Sequence, residues 1–314
     1  MKRQHMVEFG ILKTDRNHSV GRDYAWRHLF SFLLVVFCLT IPLSASAKRM
    51  KENPVTVDSL RQSRTFDRME KAAEEGDVSA QLWVADMYAS GRGGDRNDAK
   101  AFAWYSRAAE NGVRVAFYNL GVLYIHGRGI EKDPVKGARW LKKAARRGDV
   151  EAQFYLGQMH YNGEGLKVNF KKAACWWSMA ASKNEIKSLY NLGLSYYHGR
   201  GVRQDDAVAV SLWERAAKLG LREAQYSLGV MYDAGRGATR DAALARSLFR
   251  LAADQGHPLA QYALGLLYET GEDDVPLDII EAMKWYEQAA RQGVRQAARR
   301  LEFLRGTAVV VPAQ

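Results

Sequence analysis

Residues 116–148 read A-F-Y-N-L-G-V-L-Y-I-H-G-R-G-I-E-K-D-P-V-K-G-A-R-W-L-K-K-A-A-R-R-G, and the pattern recurs along the chain. Gly127 is followed by Gly163, Gly199, Gly235 and Gly271 and preceded by Gly91, always 36 residues apart. A period of this length predicts stacked copies of one small unit, each too small to bury a core alone.

The copies define the unit. Leu120 returns as Leu156, Leu192, Leu228 and Leu264, and Gly121 as Gly157, Gly193, Gly229 and Gly265. Tyr124 returns as Tyr88, Tyr196, Tyr232 and Tyr268, with His160 replacing it once. Ala116, Leu120, Gly121 and Tyr124 are about one helical turn apart and share a face, so the leading segment is an amphipathic helix. The Gly-x-Gly turn ends it, because glycine takes the positive φ that a tight reversal needs.

A second helix follows at once. Asn97, Asp133, Asn169, Asp205 and Asp241 stand where a side chain accepts from the free amides of a first turn, a cap contributing about 1 kcal/mol. Pro134 fits the first helical position. The helix carries Trp104, Trp140, Trp176-Trp177, Trp213, Phe249 or Trp285-Tyr286, then an Ala-Ala pair such as Ala144-Ala145. Rings set beside alanines predict a repeating knob and hole. Gly112, Gly148, Gly220, Gly256 and Gly293 close the helix, with Asn184 standing in once.

In these columns (A-x-x-x-L-G-x-x-Y-x-x-G-x-G, Asp or Asn, an aromatic pair, A-A, Gly) the chain resembles the Sel1-like repeats, a branch of the tetratricopeptide superfamily. The expected fold is all-α, an α-solenoid of about six helix-turn-helix repeats with terminal capping helices. The copies start at Ala80, Ala116, Ala152, Ser188, Ala224 and Ala260 and occupy residues 80–294. An ordinary tetratricopeptide array has a 34-residue unit, and the longer period with its Gly-x-Gly turn argues against it. The sixth copy loses the second glycine and gains one residue before Pro276 and Asp278.

Array ends need covers for the faces that neighbours would bury. Residues 58–79 are expected to form an N-terminal capping helix, residues 295–305 a C-terminal one, and residues 306–314 a loose tail. Residues 29–43 carry no charge and precede Ala45-Ser46-Ala47. This predicts an export signal over 1–47, or an uncleaved anchor, then a linker over 48–57. The repeats are then periplasmic or secreted, touching membrane only through an uncleaved N-terminus.

The net charge is +11, or +8 once the leader's excess of three is removed. That favours solubility and acidic partners over nucleic acid. Of the two cysteines, Cys38 lies in the leader, so Cys175 has no internal disulfide partner; beside Trp176 it reads as a small core residue. Hydrolase, zinc-protease and P-loop motifs are missing, and the Gly-x-Gly turns lack the third glycine of a dinucleotide loop. No cofactor or metal is expected. His126 and His198 share a column but sit two units apart, on the order of 20 Å for packed helices, too far for one zinc ion.

Recognition is the remaining task. The leading helices of a stacked array line a groove, and the stripe opposite the packing face is expected to meet a partner. It comprises Trp83; Asn119, Val122, Ile125 and His126; Tyr155, Gln158 and Tyr161; and Asn191, Leu194, Tyr197 and His198. Aromatic rings with amides suit an extended peptide or a glycan strand. A second surface is the turn edge, where Arg92, Arg128, Arg200 and Arg236 share one column broken by Glu164 and Glu272. The resemblance implies an adaptor for an envelope or secreted protein rather than an enzyme. A scaffold for anionic polysaccharide or cell-wall glycan is the alternative, and a peptidoglycan- or β-lactam-directed hydrolase a more distant one.

Overall fold

A computed structural model describes residues 57–308, apart from 93 and 272–275. The expected export segment and the tail from 309 lie outside the described residues, as does the linker but for Val57. Among the described residues there are fourteen helices and no strand. An opening helix α1 (Val57–Glu74) precedes six hairpins, each a leading helix and a second helix. They are α2 (Val78–Ser90) with α3 (Asp98–Glu110), α4 (Arg114–His126) with α5 (Pro134–Arg146), and α6 (Val150–Asn162) with α7 (Phe170–Ala181). Then follow α8 (Ile186–His198) with α9 (Asp206–Lys218), α10 (Arg222–Ala234) with α11 (Ala242–Asp254), and α12 (Pro258–Thr270) with α13 (Ile279–Arg291). Helix α14 (Arg295–Ala308) closes the stack, running past the expected 305, and the stretch expected as one helix over 58–79 is divided by Gly76 at φ +101°.

Each second helix begins as its sequence dictates. Asn97, Asp133, Asn169, Asp205, Asp241 and Asp278 all accept from a backbone N–H three residues on. The sixth hairpin keeps this geometry despite its altered turn, for Asp278 N–H donates to Tyr268 C=O at 2.8 Å as Asp133 N–H does to Tyr124 C=O. The second glycine of each Gly-x-Gly has a further reason to be small. A Cβ on Gly129 would stand 2.1 Å from the Asp98 carbonyl oxygen, and one on Gly201 would stand 2.2 Å from that of Phe170. The turn therefore presses on the first turn of the preceding second helix.

The knob and hole differ from expectation in one respect. The holes are the leading-helix glycines rather than the alanine pairs. Cβ atoms built on Gly157, Gly193, Gly229 and Gly265 would collide with Trp177, Trp213, Phe249 and Tyr286, so a ring lies flat on bare backbone. Ala108, Ala144, Ala180, Ala216 and Ala252 of the alanine pairs are all fully buried. A buried glutamine adds a stitch: Gln81, Gln153, Gln225 and Gln261 donate to Ala73, Ala145, Ala217 and Ala253 carbonyls at 3.1–3.4 Å. Cys175 is exposed, a correction, since it sits two residues before Trp177 and so on the outer side of α7.

Candidate functional site

A leading helix is gripped on two sides, by its own second helix and by that of the preceding repeat. Less of its circumference is free than a single packing stripe implies, and three residues expected in the groove belong to the core. Ile125 is 2% exposed and lies against Gly137 in α5, because it follows Gly121 by one turn on the same face. Tyr197, 5% exposed, packs on Trp213 with ring centroids 5.7 Å apart. Leu194 is buried in a cluster that also contains Val230.

The other expected groove residues keep free surface. Trp83, Asn119, Val122, Tyr155, Gln158, Tyr161, Asn191 and His198 are partly exposed and His126 is exposed. Neighbouring leading helices are tied across this face: Tyr155 meets Tyr118 edge-on at 5.9 Å, and Asn191 Nδ2 donates to Gln158 Oε1 at 3.3 Å. The face closes further along, where every residue of α10 from Glu223 to Met231 is buried. Within this run Ser227 hydrogen-bonds Tyr190 of α8.

The arginine column is not the open ladder expected. Arg128 Nη2 pairs with Asp98 at 2.8 Å and Arg236 Nη2 with Asp206 at 2.8 Å, each acid lying 30 residues upstream at the start of the preceding second helix. These two arginines clamp successive repeats. Arg92 is exposed and bonds Ser90 in its own turn. Arg200 differs from all three. Phe170 occupies the place of the acid, and Arg200 Nη1 donates instead to the Tyr161 hydroxyl. Among the described residues no carboxylate neutralises it.

Beside Arg200 lies a small pocket of about 10 Å³, lined by Tyr161, Trp177, Asn191, Leu194, Ser195, His198 and Arg200. Its origin is visible in the column Leu123, Met159, Ser195, Met231, Leu267: a short serine replaces a bulky residue. Ser195 Oγ donates to the Asn191 carbonyl at 3.0 Å. His198 Nε2 is buried and has no hydrogen-bond partner, nor does Trp177 Nε1 in the wall. Desolvation, then the charges of Arg200 and Arg236, hold His198 down to about 4, so the ring is neutral near pH 7. Trp177 and Ser195 were not among the expected site residues. Ser195 was legible as the odd member of its column.

Among the described residues no three His, Cys, Asp or Glu side chains are grouped to hold a metal ion, and no helix is long and apolar enough to cross a membrane.

The model of the Sel1 repeat family matches six times, over residues 78–113, 115–149, 150–185, 186–221, 222–257 and 258–294. Among solved structures, c5321, a protective antigen of uropathogenic Escherichia coli strains displaying an SLR fold, is 30% identical with a TM-score of 0.74. That match covers 79% of this chain and 53% of the other, so the chain spans about half the length of this relative. A Sel1 repeat protein from Oxalobacter formigenes is also 30% identical, with a TM-score of 0.65 and coverage of 75% and 96%. Comparison with curated proteins gives no match. Six consecutive matches, and hairpins that superpose on solved relatives, establish that this chain belongs to the Sel1 repeat family.

Proposed function

We propose that the chain is an exported, non-catalytic scaffold of a bacterial cell envelope that binds a segment of a partner protein across its leading helices. Sel1 repeat proteins generally mediate protein–protein interaction, and members and neighbours are typically non-enzymatic scaffolds. The observation that carries the reading is the contrast between two sets of columns. Leu120, Gly121 and their repeats are buried and scarcely vary, whereas the free side chains beside them change from Trp83 to Asn119, Tyr155 and Asn191. Mixed aromatic and amide groups at the open end offer stacking surface and backbone hydrogen bonds to an extended peptide. Export rests on the uncharged run 29–43 and the Ala45-Ser46-Ala47 pattern. The glycan alternative is weakened because Arg128 and Arg236 are already paired within the fold.

Affinity capture from an envelope extract tests this. Full-length protein is expected to retain one defined partner, with recovery falling when Tyr155→Ala and Gln158→Ala are combined, both partly exposed. Undiminished recovery by that double variant would remove the binding face from this position.

A further inference from the structure

We propose that the pocket between α6 and α8 is a carboxylate-recognition notch, in which Arg200, His198 and Asn191 take an aspartate or glutamate side chain of the partner's peptide. This rests on the binding face described above and names what it selects.

The charge pattern of the turn column carries the inference. Arg128 and Arg236 face Asp98 and Asp206, but Arg200 has Phe170 in that position and keeps an unneutralised guanidinium. Arg200 spends one donor on Tyr161, which fixes it at the rim and leaves a planar fork suited to a carboxylate. The pocket lining offers a second polar group. His198 Nε2, buried and without a partner, satisfies itself by donating to an anion, and an unmet buried polar atom calls for such an explanation. Asn191 also lines the pocket, its Nδ2 giving one hydrogen to Gln158 and keeping a second to offer. The field is favourable too, since the Arg200 and Arg236 charges both act on the His198 ring.

Size selects the occupant. About 10 Å³ of free space accommodates roughly one water-sized group, so one carboxylate oxygen enters while the other stays at the mouth, and the acid must arrive on a slender stem. The methylenes of Asp or Glu provide one. A uronate bears its carboxylate directly on a pyranose ring, which is too bulky for a space of this size.

The test uses full-length protein immobilised against acetylated, amidated dodecapeptide mixtures with one central position fixed as Glu or Gln. The wild type is expected to retain the Glu mixture about ten-fold better than the Gln mixture. Arg200→Gln is expected to erase that preference, and Arg92→Gln, in the same column, to keep it. Phe170→Asp supplies the acid that Asp98 and Asp206 supply elsewhere, and is expected to erase the preference with Arg200 still present. Unchanged helical dichroism and melting show that the variants are folded. Equal retention of both mixtures overturns the notch; if it is still lost in the Tyr155→Ala, Gln158→Ala variant, the binding face stands without it. A Glu preference surviving in Arg200→Gln also overturns the notch. Displacement of the Glu mixture by oligouronate, dependent on Arg200, overturns the peptide assignment.

Discussion

Trp177 lies on the backbone of Gly157 so closely that a Cβ at that position would stand 2.3 Å from the indole nitrogen. The contact repeats with Trp213 on Gly193 and Tyr286 on Gly265, and it sets how tightly each hairpin closes. Gly157→Ala is expected to destabilise the protein by about 1–3 kcal/mol despite alanine's better helix propensity. Gly121→Ala meets the smaller, buried Leu141 side chain at 2.7 Å, a less severe approach than 2.3 Å, and is expected to cost less. Denaturant midpoints of the two variants check the order.

The clamp arginines give a second expectation. Asp98 is held well below the usual carboxylate range by hydrogen bonds from Arg96 and Arg128. Its contribution is therefore present above the ordinary carboxylate pKa and is lost as pH falls. Both partners are partly solvated, so a double-mutant cycle over Asp98→Ala and Arg128→Ala is expected to give a coupling of about 0.5–1 kcal/mol, shrinking in high salt. A coupling indifferent to salt would contradict the solvated geometry.

His257 also makes stability fall on acidification, because its burial excludes a proton that the unfolded chain takes up. It caps α12 by accepting the Ala260 N–H on Nδ1 at 3.2 Å and stacks on Tyr226 at 4.6 Å. Burial, then the charge of Arg222, lowers it to about 3. Between an unfolded value of about 6.5 and that folded value, the unfolded chain binds a proton that the native chain refuses. Stability is complete above this window, falls by about 1.4 kcal/mol per pH unit within it and levels off below it. His257→Asn keeps an acceptor at the cap and is expected to flatten the fall, seen as melting temperatures at stepped pH.

The hairpins were legible because a glycine-punctuated period needs no tertiary knowledge. The site was less so, because a column shows what repeats and not which neighbour it meets. Ile125 and Tyr197 read as free only while one packing side was counted. The Arg128–Asp98 and Arg236–Asp206 clamps join columns 30 residues apart, which one repeat in isolation cannot reveal. Asn119, Tyr155 and Asn191 are partly exposed, in line with polar and variable residues standing among fixed apolar ones.

Export predicts a mature chain beginning at Lys48. Mass spectrometry of the N-terminal peptide is expected to show that start; recovery of residues 1–47 from membranes would show an anchor instead.

The most direct test of the binding face is site-specific photocrosslinking in living cells. Benzoylphenylalanine at Asn119 or Tyr155, on leading helices, is expected to trap one partner protein, while the same probe at Arg139 or Cys175, exposed on second helices, is expected to trap none. Adducts from Arg139 and Cys175 with none from Asn119 and Tyr155 would contradict the assignment and move the interface to the opposite side of the stack.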